Sequence, residues 1–233
     1  MAFLTRYVDD DHRPTVGEAG RDLLLRAVAP AVVLFGAIVG FGFLLKGPLK
    51  GMATSEESVN KSLAAGRTPT WNTITMFWSH IGNTEYVIAV CVLVALIVLW
   101  RTKEWWYAIV PVVAISIQAT VFVLATLVVD RARPKVEHLD PAPPTSSYPS
   151  GHQGASTALY LTFALMAASR IRNAALRAVV VVVCVILPCL VAYARLYRGM
   201  HHVTDVAVGA VNGIVSALLA WLYLRRGEAR RTD

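Results

Sequence analysis

Six stretches of mostly apolar residues dominate this chain: Ala27–Leu45, Tyr86–Trp100, Trp105–Val129, Gln153–Ser169, Ala178–Ala194 and Val206–Leu224. A helix that crosses the hydrocarbon of a bilayer needs about 20 such residues, with a range of about 17–25. The second run has 15 residues between Glu85 and Arg101 and extends outward through Asn83. Lipid offers backbone N–H and C=O groups no partners, so runs of this kind fold as helices that satisfy them internally. The expectation is an all-α membrane protein. Pro111 and Pro188 lie inside the third and fifth runs and predict kinks, because each removes a backbone donor.

Composition excludes the soluble alternatives. Of 233 residues, 56% are apolar and only 16% charged, against about 25% charged in a soluble domain. The mean hydropathy is +0.54. A soluble globule could not cover that much apolar surface, and a disordered chain would not carry it. Cys91, Cys184 and Cys189 sit in apolar runs and give no disulfide framework. The net charge of +7 includes no basic stretch interleaved with aromatics, so nucleic acid is not an expected partner.

Placement of charge sets an expected orientation. With the N-terminus cytoplasmic, the inner segments hold 13 Lys and Arg residues, among them Arg6, Arg13, Arg101, Arg170, Arg225 and Arg231, and the outer segments hold nine. The expected layout is six spans with both ends inside: a cytoplasmic segment 1–26, one transmembrane domain 27–224, and a basic tail 225–233. The first run is expected to be a retained helix rather than a cleaved signal, because a polar stretch with five acids precedes it. Gly36 with Gly40, and Gly209 with Gly213, are small residues at spacing four and predict close helix packing. Between the first two runs, Val59 and Leu63 in 55–65, and Trp71, Ile74, Phe77, Trp78 and Ile81 in 70–81, predict one or two short interfacial helices.

The polar residues gather at the outer ends of these runs. Asp130-Arg131-Ala132-Arg133-Pro134 follows the third, Tyr148-Pro149-Ser150-Gly151-His152 precedes the fourth, and Arg195, His201, His202 and Asp205 lie around the fifth-to-sixth connection. All three segments fall on one side of the membrane. Their chemistry points to phosphoryl transfer. Arg131, Arg133 and Arg195 can surround a tetrahedral dianion with forked, charge-assisted hydrogen bonds. Ser150 adds a hydroxyl, and Gly151 allows a close backbone approach at a helix start. His201 and Asp205, four residues apart, would share a helix face, so the carboxylate could fix one imidazole tautomer and leave the other nitrogen nucleophilic. His152 remains as general acid. A metal held by His152, His201 and Asp205 is disfavoured, since the arginines would repel a cation.

Arg133-Pro134, then Pro149-Ser150-Gly151-His152, then Arg195 followed by His201 and Asp205, resembles the type 2 phosphatidic acid phosphatase (PAP2) family of membrane lipid phosphatases, which shares its site with vanadium haloperoxidases. The resemblance implies a six-helix PAP2-type bundle. It implies His201 as a nucleophile forming a phosphohistidine, Asp205 as its partner and His152 as proton donor. Arg133, Arg195, Ser150 and Gly151 would hold the phosphate, with no metal or other cofactor. The implied substrate is a lipid phosphate or diphosphate, such as an isoprenyl diphosphate, phosphatidic acid or phosphatidylglycerol phosphate, handled in the plasma membrane with the site on the outer face. The family spacing favours His201 over His202. Two positions depart from the pattern: Thr126 stands where the family's first motif opens with Lys, and Ala194 where its third usually opens with Ser. Arg131 is the residue expected to supply the missing cation. His138, Asp140, Lys135 and Arg198 are expected to be solvated or outer-loop charges, the last two widening an anion funnel. Two other readings share these residues: a phosphotransferase using the same phosphohistidine, and a non-catalytic lipid-phosphate binding or transport protein.

Overall fold

The computed structural model describes residues 14–142 and 145–224; the acidic and basic N-terminal residues, Pro143, Pro144 and the basic C-terminal tail lie outside them. The described chain is helical: α1 (Val16–Leu23), a π-helical turn (Leu24–Val28), α2 (Ala29–Lys46), α3 (Lys50–Ala65), α4 (Pro69–His80), α5 (Thr84–Thr102), α6 (Trp105–Ala108), α7 (Val110–Val129), α8 (Gly151–Arg170), α9 (Ala174–Tyr197) and α10 (Val203–Tyr223). The protein is an all-α membrane protein.

Each boundary has a local cause. Thr15 and Glu18 form a reciprocal capping box, so helix begins at Val16, well before the apolar run at Ala27. The first helical run is therefore Val16–Lys46, 31 residues long. α4 opens with a Thr68 cap followed by Pro69, whose missing N–H costs nothing at a first turn. α3 and α4 are the short helices expected between the first two spans. Pro111 does not kink a continuous helix. It sits in the first turn of α7, with α6 a separate turn before Ile109. Pro188 is interior to α9, which runs unbroken from Ala174 to Tyr197.

Five helical runs are long and apolar enough to cross a membrane: Val16–Lys46, Thr84–Thr102, Trp105–Val129, Ala174–Tyr197 and Val203–Tyr223. α8 is as long but more polar, and its position explains that. It packs against α10, α9, α7 and α5. Its Gln153, Ser156, Thr157 and Thr162 are buried against protein rather than turned to lipid. A central helix needs no apolar exterior. The peripheral helices show the converse: Val32, Val33, Leu93, Leu96, Leu127 and Val179 are all exposed. A bundle so apolar on its outside is matched to hydrocarbon, not water.

The two glycine pairs behave differently. A Cβ on Gly209 would lie 2.5 Å from the Ser150 carbonyl oxygen, and one on Gly213 would lie 2.5 Å from that of Gly154. α10 thus presses its backbone against α8, as expected. Gly36 and Gly40 face outward, and a Cβ on either would meet nothing within 4 Å. On α2 the close approach belongs instead to Gly42, where a Cβ would lie 2.7 Å from Val129 and 2.8 Å from Tyr148. The expected packing at Gly36 and Gly40 is therefore absent, because these two share a face of α2 that does not meet the bundle. The contact at Gly42 holds α2 beside the loop that leads into α8.

Candidate active site

α8 begins at Gly151 and α10 at Val203, and the close α8–α10 packing brings these two helix starts together. The Ser150 N–H donates to the Asp205 carbonyl at 2.9 Å. Around this junction a cavity of about 530 Å3 opens, lined by Arg133, Arg195, His152, His201, Gly151 and Asp140 among others. One wall is apolar, built from Val87, Ile88, Ile115, Ala119, Phe122 and Val123. Gly151 has no room for a side chain, since a Cβ there would lie 2.7 Å from Phe122.

His201 precedes α10 rather than belonging to it. Its Nδ1–H donates to the Ser147 carbonyl at 2.7 Å, which leaves Nε2 as the nitrogen with a free lone pair. Burial, and then Arg195 and Arg133, hold its pKa well below the usual value of 6.5. The sign is clear: a lowered pKa keeps the neutral imidazole populated at neutral pH and into the acid range. In 15N NMR of the detergent-solubilised protein, assigned by difference against His201→Gln, the His201 ring is expected to be the neutral Nδ1–H tautomer at pH 6. A titration midpoint near 6.5 would contradict this.

The partner expected for His201 is elsewhere. The Asp205 carboxylate is hydrogen-bonded to Arg131 and His202 rather than to His201. It accepts the His202 backbone N–H at 2.8 Å and Arg131 Nη1 at 2.6 Å. The cause is local: His202 is the N-cap of α10 and Asp205 its third residue, so the carboxylate folds back over the cap in a capping box. The expected face-sharing required His201 to lie inside the helix, and it does not.

Arg131 is also corrected. It does not line the cavity. It is buried with Nη1 on Asp205 and on Thr204 and Nη2 on Glu56, all at 2.6 Å. Burial works against its charge, but Asp205 and Glu56 outweigh that and raise its pKa. It therefore does not supply the cation that Thr126 lacks. Thr126 itself is buried on α7, its hydroxyl 3.5 Å from the Tyr148 carbonyl oxygen. Ser150 is turned to its own helix, its hydroxyl accepting the Gln153 N–H at 3.5 Å as the α8 cap.

The two remaining arginines line the cavity, and each holds a donor without an acceptor. Arg195 donates through Nη1 to Ser79 Oγ and to Asp140, each at 2.8 Å. Arg133 donates through Nη1 to the Met200 carbonyl at 2.8 Å. The Nε–H of each is buried with no acceptor. Burial lowers the pKa of Arg133, with Asp205 opposing. Buried unpaired donors are uncommon, and two incompletely paired guanidinium groups lining one cavity favour an anionic acceptor beside them. A phosphate group is such an acceptor.

Three residues at the site were not assigned these contacts from sequence. Asn83, the N-cap residue of α5, accepts from His152 Nε2–H at 2.7 Å. Ser79 is buried and bonded to Arg195. Asp140, expected to be solvated, is an ion-pair hub, 2.8 Å from Arg195 Nη1 and 2.7 Å from Arg198 Nη2. Burial would raise its pKa, but Arg198 and Arg195 hold it below the usual carboxylate range. Arg198 is buried too and ties this loop to α4 through the Asn72 carbonyl. Among the described residues, no group of three His, Cys, Asp or Glu side chains is arranged to hold a metal.

A helical membrane bundle with two histidines and two arginines around a cavity at the helix starts has the architecture of a membrane phosphatase. The chain belongs to the PAP2 superfamily, whose family model matches residues 105–228, and it is an enzyme of that hydrolase class. Its fold is similar to the PAP2-type phosphatidylglycerolphosphate phosphatase of Bacillus subtilis, with 20% identity, a TM-score of 0.73, and coverage of 82% of this chain and 93% of that one. It is also similar to LpxE of Aquifex aeolicus, with 18% identity, a TM-score of 0.56, and coverage of 70% and 92%. No curated protein matches the sequence.

Proposed function

We propose that the protein hydrolyses a lipid phosphate or diphosphate through a phosphohistidine on His201. The observation that carries this is that one cavity is lined by a neutral imidazole with a free Nε2 and by two arginines whose hydrogen bonding is incomplete. In this mechanism Arg133 and Arg195 hold the phosphate oxygens and stabilise the charge spread over them in the transition state. His201 Nε2 attacks the terminal phosphorus, and the bond from that phosphorus to the leaving oxygen breaks, releasing the lipid alcohol from a monophosphate or the lipid monophosphate from a diphosphate. His152 carries a second proton on Nδ1, taken up with the substrate while its Nε2–H stays on Asn83, and gives that Nδ1 proton to the departing oxygen. Water then attacks the phosphohistidine, with His152 taking its proton, and phosphate leaves. Asn83 fixes the Nε2–H tautomer of His152 through their 2.7 Å hydrogen bond. The Ser147 carbonyl fixes the opposite, Nδ1–H tautomer of His201.

The apolar wall of Val87, Ile88, Ile115 and Phe122 supports a lipid substrate, since it continues the cavity along helices that face hydrocarbon. The Bacillus subtilis relative is a phosphatidylglycerolphosphate phosphatase. Phosphatidylglycerol phosphate, phosphatidic acid and isoprenyl diphosphates are the substrate classes to compare, with an isoprenyl diphosphate favoured if the site opens on the outer face. Phosphate release from a panel of these lipids by the purified protein tests the reading. Release is expected to continue in EDTA and to be inhibited competitively by orthovanadate, which resembles the phosphoryl transition state. Vanadate that neither binds nor competes would overturn it.

α8 completes a six-span layout in this proposal, with both termini cytoplasmic and the cavity outside. A cysteine at Thr145, on a background lacking the native cysteines, should react with a membrane-impermeant thiol reagent in whole cells. One at Asn173 should not. The opposite pattern would place the cavity in the cytoplasm.

A further inference from the structure

A second concavity, of about 830 Å3, lies on the other side of Arg133 from the cavity. The Arg133 side chain lines both, and the consecutive His201 and His202 line one each. Lys46 at the end of α2, Lys50 and Lys61 on α3, and Lys135 after Arg133 complete its basic wall. Lys46 Nζ donates to the Val129 carbonyl at 2.8 Å. Lys50, Lys61 and Lys135 are exposed, and among the described residues none of these lysines pairs with a carboxylate. Against these five cations stand Glu57, whose carboxylate accepts the Lys135 backbone N–H at 2.9 Å, and one charge left over where Arg131 meets both Glu56 and Asp205. The basin is net positive.

Its height in the membrane is set by α2. Leu45 and Lys46, the last residues of the 31-residue membrane-crossing run, form part of its wall. That is the level at which lipid headgroups lie. Ammonium groups there attract phosphate-bearing headgroups.

We propose that this basin binds a second lipid-borne phosphate group, beside the one turned over at His201. Two sources share that chemistry: the lipid-linked phosphate of a diphosphate substrate whose terminal phosphate lies at His201, and the headgroup of a neighbouring anionic phospholipid. The first rests on the phosphatase reading above; the second does not.

The test compares the full-length protein with a Lys50→Gln/Lys61→Gln/Lys135→Gln variant, and with the matching triple Lys→Arg variant as a control that keeps the charge. Lipid retention in native mass spectrometry, scored against phosphatidylcholine, needs no turnover. Wild type and the Arg variant should retain phosphatidylglycerol or a lipid diphosphate, and the Gln variant should lose that preference by about tenfold or more. Kinetics in phosphatidylcholine micelles then separate the sources. If the basin takes the lipid-linked phosphate, the Gln variant raises KM for the diphosphate about tenfold and leaves the monophosphate of the same tail unchanged. If it takes a neighbouring lipid, wild type is stimulated by added phosphatidylglycerol on both substrates and the Gln variant is not. A Gln variant equal to wild type in retention and kinetics overturns the proposal, as does an Arg variant that behaves like the Gln variant. Absence of turnover in wild type would count against the phosphatase reading, while retention would still decide the basin.

Discussion

Turnover is expected to vanish in His201→Ala on every substrate, by at least about 10⁴-fold, since losing the nucleophile of a covalent mechanism has cost about 10⁶ in a comparable enzyme. His201 is the imidazole whose Nδ1–H is held by Ser147 and whose Nε2 is free. His152→Ala removes a proton donor only. A p-nitrophenolate leaving group needs little protonation, so this variant should retain far more activity on an aryl phosphate than on an alkyl lipid phosphate. Rapid quenching should trap acid-labile, base-stable phosphate on wild type and none on His201→Ala. Trapping on His202, or equal losses for His152→Ala on both substrates, would show the roles to be wrongly assigned.

The second large effect separates two arginines that stand two residues apart. Arg131→Ala strips the counter-charge from Asp205 and Glu56, which are 0% and 7% exposed at the side chain. Breaking a buried ion pair from one side costs about 3–5 kcal/mol. The expected result is a large fall in Tm, or loss of folded protein. Arg133→Ala should instead leave the bundle folded and lower kcat/KM by about 10²–10³, because it removes a donor to transition-state charge. Vanadate affinity should follow the same division. A folded Arg131→Ala with the same loss of vanadate binding as Arg133→Ala would return Arg131 to the phosphate cradle. Asp205→Asn belongs with Arg131 in this scheme, and its main effect should be on stability, not on the tautomer of His201.

Much of the fold was legible in the chain. Hydrocarbon imposes a length and a composition on each lipid-facing segment, so the runs at Ala27–Leu45, Tyr86–Trp100, Trp105–Val129, Ala178–Ala194 and Val206–Leu224 mark helices without any tertiary information. The short helices α3 and α4 were visible for a similar reason, as apolar residues at helical spacing between spans. α8 was the weakest of the six by this measure. Its Gln153, Ser156, Thr157 and Thr162 meet protein, and a helix shielded by others loses the composition that betrays a span. Gly36 and Gly40 misled because spacing along a helix says which residues share a face, not which face meets the bundle.

The order and spacing of Arg133, His152, Arg195 and His201 were enough to point to a phosphate site, because each stands at the end of an apolar run and membrane topology gathers those ends on one side. What each side chain does there was decided only in three dimensions. Arg131 and Arg133 are alike in sequence, yet one meets Glu56 across 75 residues and the other opens into the cavity. Asp205 was drawn to the α10 cap and to Arg131, and the Ser147 carbonyl took its expected place at His201. Asp140 left solvent for Arg195 and Arg198. Segments span a membrane because of the free energy of transferring their own residues into lipid, a local property that the chain carries in its composition. Ion pairs and tautomers depend on which partner lies within about 3 Å, and that distance is set by helix packing between residues far apart in the chain.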